Sequence, residues 1–344
     1  MKAYRELSRR GRLRRLRKLA ETALVAYGLD NARLNFIQYA ENCVYRVDLP
    51  APDPPTDHDI PYLPDRYLLR IHAMGDIEAI ASELTWLAAL NQEAGLPVPA
   101  PVPTLAGRLQ ATFVTPGMPQ GRVVSLMRWL DGRKLKRGLQ PQHLKALGQV
   151  VARLHAFSAS WQPPDGFTRP HWDWESQLGG NMFDHSLEAL VASMPVQFRE
   201  PFQTVSREAK RAMELLGKGP DAYGLIHADL YPENVLFKDG KAYPIDFEDC
   251  GYGYWMWDIA VALCQWAWGD EWTLMRDAFQ EGYAQVRTLP EAQWSQLDLF
   301  VATQFATMVL WSSAFLKHDP MRVAEYEPWR NDNGNRLLGY FKKV

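Results

Sequence analysis

The stretch LIHADLYPENVLFKDGKAYPIDFED, which begins at Leu225, constrains the fold more than any other part of the sequence. Apolar residues flank an Asp-Gly dipeptide at its centre, and this pattern predicts a β-hairpin. A hairpin folds the chain back on itself, so this one returns Asp246 to the neighbourhood of Asn234. Asp229 lies in the loop before the first strand. Three oxygen-bearing side chains are therefore expected to converge beside a core segment, where unpaired polar groups are costly.

This set of side chains suits magnesium. Mg²⁺ prefers hard oxygen ligands and keeps waters or substrate phosphates in its remaining positions. Asn234 and Asp246 neutralise only part of its charge, so the ion stays able to bind a polyphosphate. Asp229, if it is not a ligand, is placed to accept a proton from an attacking hydroxyl.

The sequence before this stretch is rich in strand patterns. We predict strands over 34–39, 43–49, 67–72, 111–115 and 123–130, and a helix over 76–95. The Pro- and Asp-rich segment 50–65 is predicted to be a surface loop. A basic amphipathic helix, with Leu16, Ala20 and Leu24 on its apolar face, is expected to cap this region.

The character of the sequence changes after about residue 130. A long helix is predicted over 141–161, and the segment from residue 255 to the end is mostly helical and rich in tryptophan. We therefore predict an α+β fold with two lobes: a β-rich lobe over 1–130 and a mostly helical lobe over 131–344.

The overall composition excludes several classes of protein. A net charge of −2 gives no global reason to expect nucleic-acid binding. No uninterrupted apolar run approaches the roughly 20 residues that a membrane span needs, so no membrane partner is expected. The three cysteines are odd in number and lack CxxC spacing, so we expect reduced thiols in a cytoplasmic protein.

Several segments in order resemble the aminoglycoside phosphotransferase and choline kinase family, which has a protein-kinase-like fold. They are ENCVYRV, ELTWLAAL, SLMRWLDG, LIHADLYPENVLF and PIDFEDCGYGYWMWDIA. The similarity is greatest to the branch that contains type II homoserine kinases and stress-response kinases. It implies an ATP- and Mg²⁺-dependent phosphotransferase whose acceptor is a hydroxyl of a small molecule, such as an amino alcohol, amino acid or aminoglycoside.

The resemblance also implies roles for residues of the second lobe. Asp229 corresponds to the catalytic base, and Asn234 and Asp246 correspond to the magnesium ligands. Asp258 corresponds to an aspartate that braces the catalytic loop.

In the first lobe, the resemblance implies an ATP-binding set. Glu83 is expected to pair with a cation on the third strand, and Arg70 takes the place of the usual lysine. Glu41 and Asn42 stand where protein kinases have a glycine-rich loop. The segment that contains Met127 and Trp129 corresponds to the hinge against adenine.

Three alternatives stay open at this stage. A Ser/Thr protein kinase of the stress-response type would share the fold. A nucleotide-binding pseudokinase is left open by Arg70 and by the missing glycines, although the intact Asp229, Asn234 and Asp246 argue against it. A metal-dependent hydrolase built on His227 and Asp229 would need more ligands. The tryptophans of the second lobe are expected to be mostly core, although some could form a wall for a cationic acceptor; they are Trp255, Trp257, Trp266, Trp268, Trp272 and Trp311. The acids near them in sequence that could hold such a cation are Glu248, Asp249, Asp270 and Glu271.

Overall fold

The computed structural model describes residues 4–40, 42–50, 61–73, 76–135, 137–180 and 182–342. The chain forms two compact units, Met1–Arg133 with Pro163–Thr168, and Lys134–Gln162 with Arg169–Val344. A short strand, Arg133–Lys134, lies where the chain passes from the first unit into the second.

The first unit is built on a six-stranded antiparallel sheet. Its strands are β1 (Arg33–Tyr39), β2 (Cys43–Asp48), β3 (Tyr62–Ile71), β4 (Pro101–Val102), β5 (Gln110–Thr115) and β6 (Met118–Leu130). The order is β1-β2-β3-β6-β4, with β5 also paired to β6. The described part of this unit also contains the α-helices α1 (Arg9–Ala26) and α2 (Ile77–Gln92).

Helix α1 covers one face of this sheet, as its apolar stripe predicted. Leu19 and Ala23 are fully buried and share a core with strand residues such as Val47 and Leu69. The arginines and lysines of the helix lie mostly on its other side, where they stay partly or fully exposed.

The predicted surface loop over 50–65 is wrong at its end, because β3 already begins at Tyr62. The Tyr62 hydroxyl donates to the Val98 carbonyl at 2.6 Å and accepts from the Asn91 amide at 2.8 Å. These distant partners hold the segment in the sheet despite its turn-like composition, and the pairing with β6 shifts register before Tyr67. Residues 51–60 lie outside the described part of the chain.

The second unit is mostly helical. With the boundary strand Arg133–Lys134 counted as β7, its strands are β8 (His171–Trp172), β9 (Tyr223–Ile226), β10 (Val235–Lys238), β11 (Lys241–Pro244) and β12 (Gly251–Tyr254). Its helices are α3 (Pro141–Ser158), α4 (Trp174–Gln177), α5 (Leu187–Ser193), α6 (Val196–Leu216), α7 (Trp255–Leu263), α8 (Trp272–Ala284), α9 (Glu291–Trp294), α10 (Leu297–His318) and α11 (Val323–Phe341). The α+β prediction is therefore confirmed, with an antiparallel sheet first and a helical region after it.

The hairpin predicted around the Asp-Gly dipeptide is also present. Strands β10 and β11 pair antiparallel, with Val235 opposite Pro244. Asp239 and Gly240 have φ of 49° and 73°, which is the left-handed geometry that a two-residue hairpin turn requires.

Helix α10 forms the centre of the second unit. The segment Glu291–His318 is long and apolar enough to span a membrane by length and composition, but 72% of its apolar window is buried inside the fold. It packs against α6, α7 and α11, as the core helix of a globular unit does.

Candidate active site

The hairpin places Asn234 and Asp246 side by side, and Asp229 joins them. The backbone carbonyl of Asn234 accepts a hydrogen bond from the Ile245 amide at 2.8 Å, so Asp246 follows directly opposite. The side-chain amide of Asn234 donates to the Asp229 carboxylate at 2.6 Å and to the Asp229 carbonyl at 3.0 Å. The structure therefore brings together the three side chains that the sequence predicted to converge.

Asp229 lies among other carboxylates. Burial, followed by the charges of Asp249 and Asp246, raises its pKa to about 8, and the hydrogen bond from Asn234 only partly offsets this. A raised pKa shows that this site disfavours a further negative charge. A bound cation would relieve that repulsion.

The loop before Asp229 is held in place by Asp258. This fully buried carboxylate accepts hydrogen bonds from the backbone amides of His227 at 2.9 Å and Ala228 at 2.6 Å. The ring of His155 bonds the same carboxylate at 3.1 Å. Ala228 has a φ of 69°, which is unfavourable for a residue with a Cβ. The bracing contact implied for Asp258 is thus present, and it fixes a strained loop.

His227 is a core residue. Its side chain is fully buried, Nε2 donates to the Ile245 carbonyl at 3.0 Å, and Nδ1 accepts from the Asp229 amide at 3.3 Å. Both ring nitrogens are used within the loop, so His227 has no nitrogen left for a metal. A metal-dependent hydrolase built on His227 and Asp229 would therefore lack its histidine ligand.

The first unit contains the ion pair that the sequence predicted. An Arg70 Nη donates to a Glu83 carboxylate oxygen, and both side chains are almost completely buried. Arg70 also approaches the Met127 sulfur at 3.8 Å. The ATP-binding role of these three residues stays a prediction.

Of the other residues proposed for ATP binding, two are described in full. Asn42 is buried and its side-chain oxygen accepts from the Ala73 amide at 2.8 Å, which ties the β1–β2 turn to the end of β3. Trp129 lies on β6 and is partly exposed. Glu41 lies outside the described residues.

A cleft of about 510 Å³ opens beside Asp229 in the second unit. Its lining includes Tyr231, Gln304, Thr307, Trp311 and Asp332. Two earlier expectations are relevant here, because Trp311 and Asp249 both line the cleft, whereas Trp255, Trp257 and Trp272 are buried core residues.

Sequence reasoning missed most of this cleft. Trp172, Gln304, Thr307, Trp329, Asp332 and Arg336 come from three separate parts of the chain. No local motif marks them, since each is an ordinary residue of a helix or a short strand. Only the packing of α10 and α11 near the Asp229 loop shows that they share a site.

The residues present fit a magnesium ion with an open coordination sphere. Because the Asn234 amide nitrogen is used by Asp229, its oxygen is left as the ligand atom, and Asp246 adds an exposed carboxylate. Within the described part of the chain, no cluster of three or more His, Cys, Asp or Glu forms a closed metal centre. Two oxygen ligands with room for phosphates are the set that Mg²⁺ favours.

An antiparallel sheet followed by a helical unit with this Asp-Asn-Asp loop defines a kinase with a protein-kinase-like fold. The sequence matches the phosphotransferase enzyme family over residues 56–300. The chain belongs to this family, so it is an ATP-using phosphotransferase with an alcohol acceptor, and the predicted class is confirmed.

Individual relatives cover most of the chain. Amicoumacin kinase of Bacillus subtilis (strain 168) is 27% identical over 256 residues, which cover 73% of this chain and 68% of that protein. Homoserine kinase of Methylobacillus flagellatus is 28% identical over 249 residues, covering 70% and 71%. The structure of a microcompartment-associated aminopropanol kinase matches with a TM-score of 0.72 and 27% identity, and covers 94% of both chains.

Proposed function

We propose that this protein uses Mg²⁺ and ATP to phosphorylate a hydroxyl of a small molecule that binds in the cleft beside Asp229. The observation that carries this proposal is the hydrogen bond between Asn234 and Asp229, with Asp246 directly across the hairpin, beside a cleft of about 510 Å³ that Asp229 lines. A kinase of this family needs both the polar group and the cleft, because it must hold the phosphates and the acceptor in position. Phosphoryl transfer depends mainly on such positioning and on electrostatic stabilisation.

Each residue of the site has a separate role in the proposed reaction. Asn234 and Asp246 would hold Mg²⁺, which neutralises charge on the phosphates. Asp229 orients the acceptor hydroxyl and takes its proton as the acceptor oxygen bonds to the γ-phosphorus, while the bond from that phosphorus to the bridging oxygen breaks and ADP leaves. In the first unit, the Arg70 guanidinium, oriented by Glu83, would contact the ATP phosphates.

The acceptor is proposed to be a small molecule rather than a protein. Helices α10 and α11 form one wall of the cleft, and its lining includes aromatic and acidic side chains. By their names, the relatives act on homoserine, amicoumacin and aminopropanol, and such acceptors set the range to be tested first.

A screen of acceptors tests the proposal directly. Wild-type protein is incubated with ATP and either Mg²⁺ or EDTA, together with homoserine, 1-amino-2-propanol, 2-aminoethanol, choline, an aminoglycoside or a generic protein substrate. ADP formation and the mass of the phosphorylated product are measured. We expect phosphorylation of at least one small molecule, only with the divalent cation.

Two variants of the same hairpin provide the matched comparison. Asp246→Asn removes a proposed metal ligand, whereas Asp239→Asn changes the exposed turn, where a φ of 49° suits Asn as well as Asp. We expect at least about a hundredfold loss of turnover for Asp246→Asn and none for Asp239→Asn. Equal turnover of the two variants, or turnover in EDTA, would contradict the proposal.

A further inference from the structure

Helix α10 has four hydroxyl side chains, and one of them differs from the rest. Three donate to the carbonyl one turn earlier, at 2.6–2.7 Å, namely Thr303 to Leu299, Ser312 to Met308 and Ser313 to Val309. The hydroxyl of Thr307 is buried and has no hydrogen-bond partner in the described part of the chain. Because back-bonding is the usual arrangement for a helical threonine, its absence at Thr307 is informative. Thr307 lines the cleft beside Asp229.

A second buried acceptor lies one turn earlier on the same face. Gln304 is 4% exposed and Thr307 is 1% exposed, yet both line the cleft. The Gln304 amide nitrogen donates to the Tyr231 hydroxyl at 2.9 Å, whereas its oxygen Oε1 is buried with no partner among the described residues. Residues three apart on a helix are neighbours, so these two side chains share one face of α10.

A chain of hydrogen bonds fixes which end of the Gln304 amide is presented. The Cys264 thiol donates to the Val261 carbonyl at 3.3 Å, and this carbonyl can only accept. The Tyr231 hydroxyl interacts with the Cys264 sulfur and therefore donates to it. The phenolic oxygen then accepts from the Gln304 nitrogen, which leaves Oε1 as an acceptor.

The rest of the cleft wall is suited to positive charge. Trp311 follows Thr307 by one helical turn, is 37% exposed and lines the same cleft. Asp249 and Asp332 line it as well, and Asp332 pairs with Arg336 at 3.0 Å. An aromatic face beside carboxylates favours a cation.

We infer that Gln304 Oε1 and Thr307 Oγ1 form a recognition pair that accepts two hydrogen bonds from a primary ammonium group of the acceptor molecule, and that Tyr231 positions Gln304 for this task. Buried oxygens without partners cost free energy in the empty site, and a donor from the acceptor molecule recovers it. This inference rests on the proposed function, because it names the chemistry of the acceptor in that cleft.

The number of donors distinguishes acceptor classes. A primary ammonium has three N–H donors, enough for both oxygens. A quaternary ammonium carries the same charge and has no donor, and a carboxylate has neither a donor nor the right sign. The site should therefore favour a primary amino alcohol over its trimethylated analogue. A site with aromatic and acidic groups alone would bind the two compounds equally well.

A set of variants tests the pair. Thr307→Val and Gln304→Met remove the acceptor oxygens with little change of shape, and Thr307→Ser restores a hydroxyl. Thr303→Val is the matched control, because Thr303 lies on the same buried helix, one turn before Thr307, but its hydroxyl is already bonded and it does not line the cleft. Initial rates are measured with the best primary amino alcohol of the acceptor panel and with its N-trimethyl derivative.

We expect Thr307→Val and Gln304→Met to raise the KM for the primary amine about ten- to a hundredfold, with kcat within a few fold. Thr307→Ser should recover most of this loss, and Tyr231→Phe should give a smaller increase. The thermal midpoint should stay level or rise in Thr307→Val, since no bond is lost, but fall in Thr303→Val. The inference is overturned if Thr307→Val and Thr303→Val have the same KM, or if wild type prefers the trimethylated compound.

A binding measurement separates this inference from the proposed function. The thermal midpoints of wild type and Thr307→Val are recorded with and without 10 mM 2-aminoethanol or 1-amino-2-propanol. Stabilisation of wild type alone supports the recognition pair even if no turnover occurs, in which case the proposed function fails by itself. Turnover of primary amines by wild type with unaltered kinetics in both cleft variants rejects the pair and leaves the proposed function standing. If neither amine is stabilising and neither is phosphorylated, the pair is also rejected.

Discussion

Replacing Asp229 with asparagine should make the protein more stable and much less active. Asparagine keeps the shape of the side chain and still offers an oxygen to the Asn234 amide, which donates to Asp229 at 2.6 Å. It removes a carboxylate that faces the charges of Asp249 and Asp246. The two effects have opposite sign because the negative charge of Asp229 destabilises the metal-free fold but is needed for the proposed reaction.

The pKa of Asp229 gives the size of the stability effect. Burial and neighbouring carboxylates raise it from 3.8 to about 8, so the folded protein holds this proton over a range where the unfolded chain has lost it. The sign follows: stability is unaffected by this group below about pH 4 and falls as the pH rises towards 8. At pH 7 the full difference would be about 4 kcal/mol. Asp229 is partly exposed, and solvent screening reduces the expected gain in the variant to about 1–2 kcal/mol.

Calorimetry and kinetics measure the two effects separately. Thermal unfolding of wild type and Asp229→Asn is followed in EDTA from pH 4 to pH 8, and the two curves should diverge as the pH rises, with the variant higher. With the acceptor found in the screen, kcat should fall at least about a hundredfold, as expected for loss of a base. The affinity for ATP should stay within a few fold, because the role proposed for Asp229 is contact with the acceptor rather than with the nucleotide.

Two results would refute this reasoning. A variant that is less stable than wild type at pH 8 would show that the carboxylate is favoured in the fold, contrary to its environment. Full activity in Asp229→Asn would show that the base lies elsewhere, whatever the calorimetry gave.

Further predictions concern the buried Asp258 carboxylate, the buried ion pair of Arg70 with Glu83, and the metal. Asp258→Asn places an amide where two backbone amides donate, so unfolding in urea should show a free energy of unfolding lower by about 3–5 kcal/mol. An unchanged midpoint would contradict the bracing role. Arg70→Met should lower the free energy of unfolding by a similar amount, because it leaves Glu83 buried and unpaired. The double variant Arg70→Met with Glu83→Leu should recover stability in urea but not the affinity for ATP. Recovery of both would show that another residue contacts the phosphates. Titration calorimetry should show ATP binding at least about tenfold weaker in EDTA than with Mg²⁺. Equal affinities would contradict the assignment of Asn234 and Asp246 as metal ligands.

The parts of the site that lie close together in sequence were predictable. The Asp-Gly turn dictates a hairpin, and the hairpin by itself places Asp246 beside Asn234. The pairing of Arg70 with Glu83 was reached through the family resemblance, and the structure shows it. These predictions depend on local geometry or on a motif that stands in the chain as a continuous segment.

Other features could not be predicted because distant contacts decide them. Tyr62 belongs to a strand since its hydroxyl bonds Val98, although Pro and Asp around it suggest a loop. Thr307 differs from Thr303 in lacking a hydrogen-bond partner in the described structure and in lining the cleft, and a sequence shows neither difference. The acceptor side of the cleft is a product of helix packing.

The hydrogen bonds of Asp258 also determine when a growing chain can acquire a working site. The carboxylate links His155, 103 residues before it, to the loop at His227, and His155 in turn bonds Tyr283, which is 128 residues further on. During synthesis from the N-terminus, the loop sequence therefore emerges before Asp258 and before Tyr283. A chain that ends before Asp258 contains every residue of the loop but lacks the carboxylate that braces it. We therefore expect the loop that contains Asp229 to be among the last regions to reach its native form, and its geometry should report on complete folding.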